Sequence, residues 1–166
     1  MRIFLLGFMG SGKSRWGKIW ADELHIDFCD IDALIEKKEQ LSVVDIFEKK
    51  GEDHFRIIEA SILREQTGKE DIIIACGGGS PCFYNNIQWM NEQGTTVYLQ
   101  AKPDFLLKNI MDEKEKRPMV KNLNEAELIF FIEQKLKERE PFYSQASLRV
   151  NAEELDVNSL SSIITL

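Results

Sequence analysis

Gly7-Phe8-Met9-Gly10-Ser11-Gly12-Lys13-Ser14 follows the apolar run Arg2-Ile3-Phe4-Leu5-Leu6 and precedes Arg15-Trp16-Gly17-Lys18-Ile19-Trp20, a segment with helical apolar spacing. The octapeptide fits G-x-x-x-x-G-K-[ST], the phosphate-binding loop that joins a strand to a helix. A chance match is expected on the order of once in a hundred chains of this size, and the strand before and helix after lower that further. Glycines let the backbone curl so that successive N–H groups point at phosphate oxygens, and the helix N-terminus adds its positive dipole end. In that arrangement Gly10, Ser11, Gly12 and Lys13 cradle a nucleotide's phosphates, Lys13 reaches the β and γ groups, and the Ser14 hydroxyl suits Mg²⁺.

Outward from this loop, short apolar runs alternate with amphipathic helical segments, the pattern of βα units wound into a parallel α/β sheet. Strands are expected at Arg2–Leu6, Ile26–Cys29, Ile72–Cys76, Thr96–Leu99 and Leu148–Val150. The first, third and fourth are almost wholly apolar or β-branched and belong at the sheet centre. Trp16, Ile19, Trp20 and Leu24 share one helical face, as do Phe55, Ile58 and Ile62, and Leu128, Phe131, Ile132 and Leu136; these read as core stripes. Asp112 to Pro118 is nearly all charged and reads as an exposed, mobile excursion.

With 166 residues, 43% hydrophobic and 30% charged, the chain suits one domain over residues 1–166 and excludes disorder. A net charge of -7 argues against a nucleic-acid binder. Three cysteines, Cys29, Cys76 and Cys82, without metal-ligand spacing fit a reduced compartment. The start has no cleavage signature and no segment has membrane-spanning length, so a cytoplasmic, membrane-free protein is expected, with a monomer as the default.

Beyond the loop, three sets of residues could carry chemistry. Asp30 and Asp32 follow the second strand, and their spacing puts both carboxylates on one side of an extended chain, at the carboxyl end where ligands of open α/β sheets bind. The alternative for Asp32 is N-capping of the helix over Ala33–Lys38. Gly77-Gly78-Gly79 follows the third strand and suggests close backbone approach to a ligand rather than a plain loop. Arg56, expected to open a helix, and Arg139, expected to end one before Pro141, could together bind a carboxylate; each alone could be a surface salt bridge.

Taken with Phe55-Arg56, Arg117-Pro118 and Arg139-Glu140-Pro141-Phe142-Tyr143, these motifs resemble the shikimate kinase family, in order from the first strand to about Val150. The resemblance implies a three-layer sandwich of the nucleoside-monophosphate-kinase type, a five-stranded parallel sheet in order 2-3-1-4-5, and a mobile lid at about 112–124. The implied reaction moves the γ-phosphoryl group of ATP to the 3-hydroxyl of shikimate, a step towards chorismate. It further implies that Gly10 to Arg15 and the lid residue Arg117 hold the ATP phosphates, that Ser14 binds Mg²⁺, and that Asp30 touches the metal through water. Asp32 is the candidate base and, with Arg56, Gly78, Gly79 and Arg139, holds shikimate; Phe47 and Phe55 wall its ring. Lys13, Asp32 and Arg117 would be the catalytic residues.

The sequence departs from the family at Arg15, where Ser or Thr is usual, and at Cys76, where a hydroxyl residue is common. It offers no clean match for a basic residue on the adenine side among Lys108, Asn109 and Ile110, so no nucleobase contact is assigned. A rival is another small-molecule kinase of the same fold, such as a gluconate kinase, which has less need of paired carboxylate-binding arginines. A nucleotide-binding module without catalysis would be expected to lack Lys13, Asp32 or Arg117, and all three are present.

Overall fold

The computed structural model describes residues 1–113 and 120–164. Strands β1 (Arg2–Leu6), β2 (Asp27–Asp30), β3 (Ile72–Ala75), β4 (Thr95–Gln100) and β5 (Leu148–Asn151) form one parallel sheet in the order β2-β3-β1-β4-β5. The expected sandwich and strand order are therefore both observed, and the three most apolar strands are the central ones. The register pairs Phe4 with Ile74 and with Thr96, which brings the carboxyl ends of β1, β3 and β4 to one edge of the sheet.

Alternation along these strands fills two layers. Phe4, Leu6, Ile72 and Ile74 face α2 (Ile31–Glu39), α3 (Val43–Glu65) and α4 (Asn86–Gln93), where they meet Ile35, Ile46, Phe55, Ile62 and Met90. Ile3, Leu5, Ile73, Val97 and Leu99 face α1 (Lys13–Leu24) and α7 (Ser159–Ile164), where Trp20, Leu160 and Ile163 cover them. Each aliphatic side chain buried this fully contributes about 2 kcal/mol. A third cluster joins Phe8 of the phosphate loop to Leu106 and Ile110 of α5 (Pro103–Met111), Val120, and Leu128 and Ile132 of α6 (Glu125–Tyr143). Helices α5 and α6 are thus tied directly to the loop that binds phosphates.

Three local expectations are corrected. The helix carrying Arg56 does not open there: α3 breaks at Gly51, whose φ of 85° is open to glycine, and resumes so that Phe55 and Arg56 lie a full turn inside its second half. Nor does α6 end at Arg139. Pro141 sits within its last turn, which the Ser144 N–H to Glu140 carbonyl bond of 2.9 Å carries past the proline. Asp30 and Asp32 do not share one side of an extended chain, because only Asp30 is extended. It is also the N-cap, its carboxylate accepting from the Asp32 and Ala33 N–H groups, while Asp32 lies in the first turn of α2.

Asp112 and Glu113 are exposed, as expected, and Arg117 lies outside the described residues. The expected lid range reaches Val120, which is fully buried against α5 and α6 and anchors that end of the segment. Among the described residues, no helix is long and apolar enough to cross a membrane. All three cysteines are unpaired thiols.

Candidate active site

The carboxyl ends of β1, β2 and β3 open into a cleft of about 570 Å³, whose lining runs from the phosphate loop through Asp30 and Asp32 to Arg56, Gly77, Gly78, Gly79 and Arg139. Every described site residue expected from the sequence lines this one space, in keeping with the rule that open α/β sheets bind ligands there.

At one end, Gly12 takes a φ of 93° and hands the chain into α1, so that the first N–H groups of the helix face the cleft. Lys13 is 9% exposed, and its ammonium donates to the Gly7 and Phe8 carbonyls at 2.9 Å each. These are bonds to neutral acceptors, weaker than those an anionic phosphate offers. The Ser14 hydroxyl donates to the Asp30 carboxylate, which brings together the two oxygen groups expected at a metal. Arg15 is exposed and lies 5.4 Å over the Trp16 ring. The Asn109 amide donates to the Gly10 carbonyl at 2.8 Å and ties α5 to the loop.

In the middle stands Asp32. Its Oδ1 is buried and, among the described residues, has no hydrogen-bond partner. Burial first, then the Asp30 and Glu59 carboxylates, push its pKa up to about 7, against the pull of Lys13 and Arg56.

At the other end two guanidiniums are buried in different ways. Arg56 is 5% exposed and bound to its own helix: Nη1 donates to Glu59 at 2.8 Å, and Nε and Nη2 donate to Glu52 at 3.2 Å. Three rings surround it, with Phe83 nearest at 4.6 Å, then Phe55 and Phe47. Phe47 and Phe55 pack on each other at 4.8 Å and line the cleft beside Arg56. Arg139 is 9% exposed, lies 5.2 Å over Phe8, and has no carboxylate partner among the described residues. A buried guanidinium without a counter-ion is a strong attractor for an acidic ligand.

The glycine triplet serves this packing by leaving room. A Cβ on Gly79 would lie 2.4 Å from Nη2 of Arg56, and one on Gly77 would lie 2.5 Å from Oε1 of Glu59. On Gly78 it would meet Nη1 of Arg139 at 3.2 Å. None of the three has a left-handed φ, so close approach rather than chain freedom explains them.

Glu59 escaped the sequence reading. It is fully buried and accepts from both Arg56 and the Ser80 hydroxyl. Its signal was available: it falls within the Phe55, Ile58, Ile62 stripe, where a charge requires a buried partner. Tyr143, whose hydroxyl donates to the Gly78 carbonyl at 2.5 Å, carried no such signal, since an aromatic near a helix end reads as packing.

Comparison with known proteins agrees with this geometry. The family model described as shikimate kinase matches residues 9–165. A shikimate kinase from Bacteroides thetaiotaomicron is 42% identical over 156 residues, covering 94% of this chain and 89% of the relative. The crystal structure of shikimate kinase from Bacteroides thetaiotaomicron superposes with a TM-score of 0.95 at 39% identity, covering 100% of this chain and 99% of the other. Shikimate kinase from Acinetobacter baumannii in complex with shikimate superposes at 0.86 with 30% identity, covering 99% and 90% of the two chains. The phosphate loop, the paired acids and the two buried arginines are thus those of a chain that belongs to the shikimate kinase family.

Proposed function

We propose that this cleft phosphorylates the 3-hydroxyl of shikimate from ATP with Asp32 at the acceptor hydroxyl and Arg139 and Arg56 at the acceptor carboxylate. The chain is an ATP-dependent phosphotransferase by family. The observation that carries the assignment of residues is the pairing of two groups in one cleft that are unmet among the described residues: a buried carboxylate oxygen without a donor and a buried guanidinium without an anion. Shikimate supplies a hydroxyl for the first and a carboxylate for the second.

The reaction asks chiefly for in-line positioning and for positive charge on the transferred group. Lys13 exchanges its carbonyl partners for the β and γ phosphate oxygens, which the N–H groups from Gly10 to Arg15 also hold. Ser14 and Asp30 suit Mg²⁺, since both offer hard oxygen ligands beside the phosphate loop. Held by Ser14, with Asp30 reaching it through water, Mg²⁺ would offset the negative charge of the phosphate groups. Arg117, outside the described residues, would add positive charge to the transferred phosphoryl group in this proposal.

Asp32 accepts the hydrogen bond of the acceptor hydroxyl, aims the oxygen, and takes its proton as the bond to phosphorus forms. A pKa near 7 suits a group that must lose and regain a proton at neutral pH. Gly78 and Gly79 present their backbone to the ring, and Phe47 and Phe55 wall it.

A coupled assay of ADP release with Mg-ATP tests this, with shikimate, quinate, gluconate or no acceptor. Strong release with shikimate alone is the expected result. Release with gluconate but not shikimate, or equal release without acceptor, would overturn the assignment of Asp32, Arg56 and Arg139.

A further inference from the structure

We propose that Tyr143 is a positioning residue for the acceptor carboxylate, clamping the Gly78 peptide and Arg139 into one rigid carboxylate-binding unit. The inference rests on the shikimate reading above and deepens it.

Tyr143 and Arg139 lie one turn apart on α6, so their side chains project from the same face. Tyr143 is fully buried. Burial holds its phenol protonated far above the ordinary range, so the hydroxyl is a permanent donor, and it donates to the Gly78 carbonyl. The Arg139 guanidinium lies near the same phenol and acts on it electrostatically. Gly78 is also the residue whose missing Cβ admits Nη1 of Arg139 at 3.2 Å. The phenol therefore fixes the Gly78 peptide against which the Arg139 guanidinium packs, and these are the two groups that must hold a fixed spacing if both are to meet one ligand. Arg139 needs such a fixture: among the described residues it has no carboxylate partner, and the Phe8 ring and the Gly78 backbone are what it packs against. Arg56, by contrast, is oriented by Glu52 and Glu59.

The clamp has its own support. Tyr143 packs on Tyr98 of β4 at 4.9 Å between ring centroids, and the Tyr98 hydroxyl donates to Glu140 at 2.9 Å. Tyr98 thus fixes the ring of Tyr143 from the sheet, while its own hydroxyl points to Glu140 rather than to the cleft. This separates a hydroxyl that positions the site from one that only secures the helix.

Steady-state kinetics of Tyr143→Phe, with Tyr98→Phe as the control, tests the proposal. Tyr143→Phe is expected to raise the KM for shikimate about five- to tenfold while kcat and the KM for ATP stay within twofold. Tyr98→Phe, which loses the hydroxyl of the neighbouring buried tyrosine, is expected to leave the shikimate KM unchanged. The effects of Tyr143→Phe and Arg139→Lys should be less than additive on that KM, since both loosen the same contact. An unchanged shikimate KM in Tyr143→Phe, equal losses on both substrates, the same KM rise in Tyr98→Phe, or full additivity with Arg139→Lys would overturn the clamp. Absence of shikimate turnover in the unmutated protein would instead overturn the reading on which it rests.

Discussion

Among the described residues of the cleft, Asp32 has a carboxylate oxygen without a hydrogen-bond partner and Arg139 a guanidinium without a carboxylate partner. An Asp32 Oδ1 without a donor is an acceptor held ready, and removing its charge while keeping its shape isolates that role. Asp32→Asn is expected to lower kcat by well over tenfold with ATP binding nearly normal, as measured by turnover and by nucleotide titration; an unchanged kcat would remove Asp32 from the chemistry. Its pKa near 7 adds a pH signature, because the accepting form is the carboxylate. The kcat/KM for shikimate is expected to fall about tenfold per pH unit below that value, and a profile flat from pH 5 to 8 would contradict it. Arg139→Lys should raise the shikimate KM, since a point charge does not reproduce the planar fork; equal KM values in the two proteins would place the carboxylate elsewhere. Asp-x-Asp after a strand and an Arg before a proline are visible patterns, which is why both residues were singled out, and the structure brings both to one cleft. Glu59 was not read, and Tyr143, quoted within a motif, was given no role, because their meaning depends on a partner far along the chain: Ser80 for one, Gly78 for the other.

Elements were more legible than their ends. The strand β1 was placed to the residue, and the ends of the others differ by at most one position, since apolar alternation shows where a strand runs but not where its last hydrogen bond falls. Helix ends failed where a local rule met a tertiary contact. Pro141 breaks the local pattern, yet the buried Tyr143 beyond it holds the turn in place. Asp32 looked like a cap because it precedes the apolar helical pattern, but Asp30 sits at the extended position from which a carboxylate can reach the N–H groups of Asp32 and Ala33. The loop after β3 is where element and site meet. Its glycines were read as room for a ligand, and the structure fills that room with Arg56, Glu59 and Arg139. Gly79→Ala is therefore expected to displace Arg56, lowering stability by about 1–3 kcal/mol, a typical overpacking cost, and raising the shikimate KM. Denaturant unfolding together with kinetics checks this, and a variant that is both fully stable and kinetically normal would show that Arg56 can bind from another position.

Across the whole molecule, the site imposes a cost on the fold that depends on pH. Three carboxylates, Asp30, Asp32 and Glu59, converge at the carboxyl ends of the sheet, and of these Asp32 has its pKa raised well above its ordinary value of 3.8. A folded-state pKa above the unfolded one means that the native protein binds the proton more tightly between about pH 4 and 7. The stability it contributes is full below the unfolded pKa and is lost as pH rises through the folded one. Above pH 7 the native state carries the whole penalty of a buried, crowded carboxylate, roughly 2 kcal/mol after allowing for the partial exposure of the residue. Asp32→Asn removes that penalty, so its Tm is expected to match the unmutated protein near pH 4 and to exceed it by about 4–8 °C at pH 8 for a chain of this size. Comparing the two proteins cancels every other titrating group. A Tm difference independent of pH would mean that Asp32 is not the strained carboxylate. A difference that grows between pH 4 and 7 would show that the residue assigned to the acceptor hydroxyl is also one the fold would be more stable without, as expected where stability is traded for a reactive group.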